Sequence, residues 1–591
     1  MDGAARRRRQ RLLTGGAPRR RRQRLSIRDA SRRVSAAPLD PRRLPESVGS
    51  ASRSATTPGE CRQRLSIHDA SRRVSAAPLD PRRPSESAGG GSRVAQTVRM
   101  VWVDREDPYV TEPNQNYVGG EWVSSETGET FEVHNPAAPD QTVASYQQSG
   151  AADAAEAVEA AADAQDEWAA TPGPERGRIL RQAGTTLAER KDELTAMLVE
   201  EEGKARPEAA GEVQRAIDIF HYFAGKASDL GGTVKGSSGR DTTLYTRDEP
   251  VGVAALITPW NYPIAIPAWK LAPALAAGNS VVIKPASAAP GVVLAVTEAL
   301  DEAGLPDGVL NVVTGPGSSV GNEFITNEGT DAVSFTGSGQ VGQMVYDQAT
   351  DAGKRVQTEM GGKNPTLVTD SADPAEAAEI VASGGFGTTG QSCTACSRAI
   401  VHEDVYDEFV AELVDAAEAI DIGPGSDHEM GPQVSADELE STLEYIDIAR
   451  DEGATVAAGG EKPTGDAVET GHFVEPTVLT DVDNDDTIAC EEVFGPVVAV
   501  IEVSDFDEGL HVANDVEYGL SASVVTDDHT EANRFIDEAE AGVVKVNEKT
   551  TGLELHVPFG GFKRSSSETW REQGDAGLEF YTIEKTVYDN Y

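Results

Sequence analysis

The sequence predicts an α/β protein built on parallel, doubly wound sheets and preceded by a segment with no core of its own. Three observations lead there. From Val251 onward, short apolar runs alternate with helical stretches at a spacing that suits strand–helix–strand units. The body from Met100 to Tyr591 holds 492 residues, more than one hydrophobic core serves, so two large domains are expected. Residues 1–99 contain no Phe, Trp or Tyr, and a chain of that composition buries too little apolar surface to fold.

Taken in order, the body opens its helical part with AADAAEAVEAAADAQDEWAA, Ala151 to Ala170, which reads as one helix. Glu175 to Glu202 reads as a second. Asp241–Thr246 is extended and holds Thr and Tyr, which suits a strand. Val251–Ile257, Ser280–Ile283, Val309–Val313 and Ala332–Phe335 are the next predicted strands. Ala265–Ala277, Gly291–Ala303 and Val341–Ala352 are the helices between and after them. Sheets of this kind bind ligands at the carboxyl ends of their strands.

Charge divides the chain. The net charge of −46 hides 24 Arg, no Lys and 8 acidic residues in positions 1–99, against 28 basic and 90 acidic residues in the rest. The body therefore carries −62. Self-repulsion of that size is relieved when molar salt shrinks the Debye length to about 3 Å. A body that works in high salt, as in a salt-in halophile, is expected. The same charge disfavours nucleic acid and anionic membrane as partners. No run of about 18 apolar residues exists to span a membrane. No apolar region follows the N-terminal arginines to make a secretory signal, so a cytoplasmic location is expected.

The first 99 residues carry an internal repeat. Arg22 to Arg43 reads RQRLSIRDASRRVSAAPLDPRR, and Arg62 to Arg83 repeats it with His68 in place of Arg28. A disordered basic arm and a targeting segment are two readings. A third is translated upstream DNA, with Met100 as the true start, because an all-Arg stretch sits oddly on so acidic a body.

Four cysteines, Cys61, Cys393, Cys396 and Cys490, are too few for a disulfide framework and wrongly spaced for zinc, so no metal site is expected. Cys393 lies in the polar, glycine-containing stretch Gly390-Gln391-Ser392-Cys393-Thr394-Ala395-Cys396-Ser397-Arg398. Alone it reads either as a nucleophile or as a small buried hydrophobe. Cys396 reads as a packed thiol, and a disulfide to Cys393 would be strained at that spacing.

Other motifs decide between the two readings of Cys393. They are Thr258-Pro259-Trp260-Asn261-Tyr262-Pro263, Lys284-Pro285-Ala286-Ser287, Phe335-Thr336-Gly337-Ser338-Gly339-Gln340-Val341-Gly342 and Glu359-Met360-Gly361-Gly362-Lys363-Asn364-Pro365. Downstream stand Glu491-Glu492-Val493-Phe494-Gly495-Pro496 and Pro558-Phe559-Gly560-Gly561-Phe562-Lys563. In this order and spacing they resemble the aldehyde dehydrogenase superfamily, over about Tyr117 to Tyr591.

The resemblance implies a Rossmann-like cofactor domain at 106–231 with 251–361, and an α/β catalytic domain at 362–565. It also implies a small β oligomerisation arm from 232–250 and 576–591, hence a homodimer or homotetramer. It casts Cys393 as the nucleophile that forms a thiohemiacetal and then a thioester, and Asn261 with the Cys393 N–H as donors to the oxyanion. Glu359 would activate the hydrolytic water. Thr258, Pro259, Trp260, Lys284, Ser287, Gly337, Ser338, Gly342, Glu359, Gly361, Glu492 and Phe494 would line the site for NAD or NADP. Lys284 would bond adenosine ribose hydroxyls, and Glu492 would hold the nicotinamide ribose, with Phe494 near the ring. NAD-restricted relatives often carry Glu where this chain has Ser287; a serine leaves room for a 2′-phosphate that Lys284 can pair with. NADP is therefore expected to be accepted and even preferred.

The stretches Val544 to Gly561 and Ser565 to Gly574 resemble the subgroup that oxidises 2-oxoglutarate semialdehyde (2,5-dioxopentanoate) to 2-oxoglutarate at the end of pentose or sugar-acid breakdown. Succinate semialdehyde, betaine aldehyde and glyceraldehyde 3-phosphate are the rival substrates. A Cys–His thiol hydrolase leaves the cofactor motifs unexplained. A non-catalytic binding protein on this fold would have lost one of Cys393, Glu359 and Asn261, and all three are present.

Overall fold

The computed structural model describes residues 112–425, 428–567 and 569–591. The Arg-rich segment 1–99, expected to be disordered, lies outside them. Two seven-stranded sheets dominate. In the first, five parallel strands run in the order Arg355–Glu359, Ala332–Thr336, Val253–Ile257, Ser280–Lys284 and Leu310–Val312. Asn116–Val118 and Glu121–Val123 close one edge as antiparallel strands. The order reverses beside Val253–Ile257, which makes a topological switch point there. Val253–Ile257, Ser280–Lys284 and Ala332–Thr336 are buried along their whole length, which is why they read as unbroken apolar runs.

The helices predicted between these strands are present. Ala151–Ala170 and Ala265–Ala277 fall at the predicted residues. The second of these is apolar on every side and wholly buried, and Lys270 is its one charged residue. The single helix expected over Glu175–Glu202 is two helices, Gly173–Glu189 and Lys191–Glu201. No Gly or Pro marks the break. Arg190 leaves helical geometry (φ −100°, ψ 13°) and pairs with Glu193 at 2.7 Å and with Glu298 of the neighbouring helix at 2.9 Å. A tertiary ion pair sets the kink, and local sequence cannot show that.

The second sheet has six parallel strands in the order Thr477–Thr480, Val497–Val503, Cys396–His402, Asn364–Val368, Ser521–Val525 and Val543–Val546. Thr455–Ala458 is antiparallel at one edge. Only Met360–Lys363 separates the last strand of the first sheet from Asn364–Val368 of the second.

A third, three-stranded sheet joins Val234–Lys235, Thr242–Pro250 and Thr582–Asn590. Its strands fall within the segments 232–250 and 576–591. Gly574–Phe580 is a helix, and Leu578, Phe580 and Tyr581 sit in the core around the first sheet. The strand of this segment begins only at Thr582. Among the described residues no helix is long and apolar enough to cross a membrane.

Arg398 ties the second sheet to the inter-sheet link. Its side chain is fully buried. It donates to the Lys363 carbonyl from Nε (3.1 Å) and Nη2 (3.0 Å), and to Asn484 Oδ1 (3.2 Å). It also reaches Val512 O (2.9 Å) and Ala513 O (3.0 Å), in the last turn of the helix Phe506–Asn514. Burial lowers the guanidinium to about 10, so it stays charged at neutral pH, facing the negative end of a helix. We expect Arg398→Met to lower unfolding free energy by about 3 kcal/mol or more, because it orphans several buried carbonyls at once. Denaturant titration in molar KCl checks this; a loss below about 1 kcal/mol, the scale of a single hydrogen bond, would rule out the structural role.

Candidate active site

The carboxyl ends of the first sheet meet the amino ends of the second in one crevice. Thr258 to Asn261 leave the strand Val253–Ile257, Lys284 ends its own strand, Gly337 and Ser338 follow Ala332–Thr336, and Glu359 ends Arg355–Glu359. From the other side come Cys393, just before Cys396–His402, and Glu492 to Pro496, just before Val497–Val503. Contacts close the gap. Asn261 Nδ2 donates to Gln391 O at 3.1 Å. Gly362 N donates to Glu492 Oε1 at 3.0 Å. The Trp260 and Phe494 rings meet edge-on at 5.4 Å.

The cysteine loop is strained and pinned. Thr388 and Thr389 have φ of 55° and 56°, a region that β-branched residues avoid. Glu208 accepts the Thr388 N–H at 2.7 Å, and Thr389 Oγ1 donates to Gly431 O at 3.0 Å. Gly390 follows at φ 66°, and a Cβ there would lie 2.1 Å from Gly495 O. Asn364 Nδ2 then donates to both Cys393 O (2.8 Å) and Ala395 O (2.9 Å). Strain held by so many external partners is typical of a functional loop.

Cys393 is partly accessible at the crevice. Burial pushes its thiol well above the ordinary cysteine range, and the charges of Glu492, Glu359 and Glu572 push it the same way. Cys396 turns away. Its sulfur lies 3.2 Å from Thr366 Oγ1 and packs in the core of the second sheet, with the thiol raised by burial to about 11. It is the packed thiol expected and faces its own core rather than Cys393.

Glu359 is buried. It accepts from Gly561 N and Ser566 Oγ, both at 3.1 Å. Burial raises its pKa, and the charge of Glu572 raises it further. Beneath it Lys270, on the apolar helix, is held by Glu572 and by Ser334 Oγ at 2.8 Å. Asn261 is buried too. Its backbone carbonyl accepts Lys204 Nζ at 2.7 Å, and the same ammonium pairs with Glu212 at 2.6 Å and lies 4.5 Å from the Tyr262 ring centre. Glu212 in turn accepts the N–H groups of Ile264 and Ala265 at 3.0 and 3.1 Å.

The first sheet's side of the crevice fits a dinucleotide. Thr258 Oγ1 and Thr336 Oγ1 are buried without partners. Ser338 caps the helix Gly339–Asp351 without a side-chain bond, so the N–H groups of its first turn are free for phosphate. Lys284 is buried, bonded to Pro285 O at 2.9 Å and lowered by burial to about 8, a cation that an anion would stabilise. Ser287 is exposed beside it, 3.5 Å from Gly315 O. Gly361 has no room for a Cβ, which would come within 1.8 Å of the Glu492 carboxylate. Burial raises Glu492 to about 7.

The segments that carry the predicted site residues thus lie at the facing ends of the two sheets. Sequence reasoning missed Lys204, Glu212, Lys270, Asn364, Arg398 and Glu572, which hold them there. Lys270 did leave a signal, as a lone charge in an apolar helix. Glu572 lies 302 residues from its partner Lys270, and no local pattern joins the two.

Comparison with known proteins gives one family. Residues 122–587 match the aldehyde dehydrogenase family. The chain is 82% identical over 482 residues to the alpha-ketoglutarate semialdehyde dehydrogenase of Haloferax volcanii, across 82% of this chain and 100% of that protein. It is 43% identical over 473 residues to the 2,5-dioxopentanoate dehydrogenase of Saccharolobus solfataricus, across 80% of this chain and 98% of that one. Among solved structures, betaine aldehyde dehydrogenase of Staphylococcus aureus in complex with NAD+ has a TM-score of 0.78 at 36% identity, covering 81% of this chain and 94% of that one. A 3,6-anhydro-L-galactose dehydrogenase solved with NADP has a TM-score of 0.78 at 39% identity, covering 81% and 100%.

The electrostatics of Cys393 make a prediction. Glu492 is the foremost of the three charges that raise it, so Glu492→Gln should ease thiolate formation. The pH midpoint for alkylation of Cys393, followed by peptide mass analysis in molar KCl, should fall by about one unit, the scale of one close like charge. Glu572→Gln should move it the same way but less. A midpoint unchanged in both variants would mean that burial alone sets the thiol.

Proposed function

This chain belongs to the aldehyde dehydrogenase family, and from that premise we propose that it oxidises 2-oxoglutarate semialdehyde to 2-oxoglutarate. It is an oxidoreductase of the NAD(P)-dependent kind. The observation that carries the substrate is the 82% identity to the Haloferax enzyme over that protein's whole length. The rival betaine aldehyde dehydrogenases stand at 41% and 36%. Place in metabolism follows from the chemistry: a dehydration that makes a 2-oxo aldehyde-acid from a sugar acid must supply the substrate. The acidic body supports a cytoplasm rich in salt as the place of work.

Cys393, Asn261 and Glu359 are the residues proposed to act. The Cys393 thiolate adds to the aldehyde carbon and forms a C–S bond, while the carbonyl π electrons move to oxygen. Asn261 has a second amide N–H beyond the one on Gln391 O, and with the Cys393 N–H it receives that oxyanion. Water exclusion makes such donors worth about 3 kcal/mol each in comparable sites. A nicotinamide, when bound, supplies the two-electron acceptor by which the adduct becomes a thioester. Glu359, raised by its buried setting, takes a proton from water as its oxygen attacks the acyl carbon. The C–S bond breaks and the thiolate returns. Thr258, Pro259, Trp260, Lys284, Gly337, Ser338, Gly342, Gly361, Glu492 and Phe494 would hold the cofactor.

Preference for NADP over NAD is proposed from Ser287 and Lys284. No carboxylate occupies the place of Ser287, and the Lys284 ammonium, lowered by burial to about 8, gains by pairing with a 2′-phosphate. Assembly as a homodimer or homotetramer through the arm is proposed from its exposed apolar residues, Val234, Ile583 and Tyr588.

Four outcomes are expected. In molar KCl, purified enzyme should turn over 2-oxoglutarate semialdehyde with higher kcat/KM than succinate semialdehyde, betaine aldehyde or glyceraldehyde 3-phosphate; a better rival replaces the substrate assignment. Cys393→Ala should abolish oxidation while cofactor binding, followed by fluorescence, survives; a tenth of the wild-type rate remaining would remove Cys393 from the mechanism. Glu359→Gln should give a burst of reduced cofactor and stall as the acyl-enzyme, visible by intact mass. Ser287→Glu should lower kcat/KM for NADP relative to NAD by about tenfold, or about 1.4 kcal/mol, at fixed salt; an unchanged ratio would mean that position 287 does not face the 2′ group.

A further inference from the structure

A substrate with a carboxylate at its far end asks for a cation that is not already neutralised. Near the crevice most are. Lys204 is paired with Glu212, and Lys270 with Glu572. Arg398 is saturated by carbonyls. Lys284 lies on the cofactor side. Lys545 donates to Thr551 O and Gly552 O, both at 2.6 Å.

Arg215 differs. It is partly buried on the helix Arg206–Lys226. Its Nη1 donates to Leu553 O and its Nη2 to Gln573 Oε1 at 2.8 Å. Among the described residues no carboxylate lies within ion-pair distance of it. Its nearest acidic neighbours, Asp218 and Glu554, are exposed.

Its place on the helix is informative. Glu208, Glu212 and Arg215 fall at i, i+4 and i+7, which is one helical face. Glu208 holds the cysteine loop at Thr388, and Glu212 holds the backbone after Asn261. Arg215 therefore continues the face that holds the segments carrying Cys393 and Asn261. Helical side chains also lean toward the N-terminus, which aims the guanidinium back along that face.

Gln573 is the independent observation. It is 1% exposed, and its Nε2 is buried with no hydrogen-bond partner. The Arg215 N–H fixes which end of the amide is the oxygen, so the orphan is a donor. Gln573 also directly follows Glu572, the carboxylate that acts on both Glu359 and Cys393. A guanidinium and an unsatisfied N–H side by side call for one anionic acceptor.

We propose that Arg215 and the Gln573 amide together receive the distal carboxylate of the aldehyde substrate and so select an acid-ended chain. This rests on the substrate reading above. The test compares kcat/KM for 2-oxoglutarate semialdehyde with that for pentanal, a neutral aldehyde of the same chain length, at fixed molar KCl. In Arg215→Met the ratio should fall at least about 30-fold, or about 2 kcal/mol, chiefly through KM for the acid-ended substrate, and Arg215→Lys should recover part of it. Because Arg215 also braces Leu553, Gln573→Leu is the second variant; it leaves the guanidinium in place and should lower the ratio by a smaller factor. A ratio within about threefold of wild type in Arg215→Met, the scatter expected of a lost rim contact, overturns the anchor alone. So does a large fall in Lys549→Met, whose ammonium donates to Ser383 Oγ at 3.1 Å, with none in Arg215→Met. A wild-type enzyme that prefers pentanal overturns the substrate reading and the anchor together, which separates the two failures.

Discussion

Four residues carry the chain from one sheet to the other, and the site depends on how closely they are packed. Met360–Lys363 starts where Glu359 ends its strand and stops where Asn364 begins the next. A Cβ at Gly361 would strike the Glu492 carboxylate, and one at Gly362 would come within 2.7 Å of Cys393 O. The two glycines are what let Glu492 and the cysteine loop approach the link at all. Lys363 O is bonded twice by Arg398, and Asn364 bonds the Cys393 and Ala395 carbonyls. Glu359, Cys393 and Glu492, the residues proposed as base, nucleophile and ribose ligand, are thus positioned by one short segment. The first sheet supplies its carboxyl ends to this crossing and the second its amino ends. A doubly wound sheet places ligands there by its topology.

Low polarity around that crossing governs the chemistry. Burial raises both Cys393 and Glu359, and the charge of Glu572 raises both further. At rest the thiol keeps its proton and the carboxyl is a weak acid. A reactive thiolate then forms mainly when a cation or an electrophile offsets the repulsion. An oxidised nicotinamide ring, were it bound beside Cys393, would be such a cation and would lower the cost of the thiolate. The same low polarity makes the orphaned polar atoms meaningful. Thr258 Oγ1, Thr336 Oγ1 and Gln573 Nε2 each lack a partner inside the protein, and a buried group of that kind costs about 1–3 kcal/mol until a ligand satisfies it.

Periodicity made the first sheet legible because its strands are buried on both faces and its helices are long. Ala151–Ala170 and Ala265–Ala277 came out at their true bounds for that reason. The motif order singled out Asn261, Glu359 and Cys393, and the fold brings the segments that carry them to the facing ends of the two sheets. What stayed hidden is what distance in sequence hides. At the break, Arg190 pairs with Glu298, 108 residues away. The three-residue strands at Asn116–Val118 and Glu121–Val123 are too short to show a period. Lys270 meets Glu572, and Arg215 meets Leu553 and Gln573, across more than 300 positions. Gln573 itself stands at φ 61° and ψ 169°, a conformation almost reserved for glycine, and only the fold shows that it is strained.

A few of the body's scarce positive charges are withdrawn from its surface. Lys204, Lys270, Lys284, Lys363 and Arg398 are all buried, in a body where acidic residues outnumber basic ones 90 to 28. Outside, carboxylates dominate and salt sets their repulsion. Inside, each cation acts at contact distance, where screening is weak. Salt therefore works on the two parts differently. An acid-ended substrate approaching a body of charge −62 is repelled at low ionic strength, and molar salt removes that barrier without weakening what holds the substrate once it arrives. A contact cation such as Arg215 can thus serve a protein whose surface would otherwise turn its own substrate away, provided the protein works in salt. The acidic surface and the buried basic residues are two sides of one arrangement.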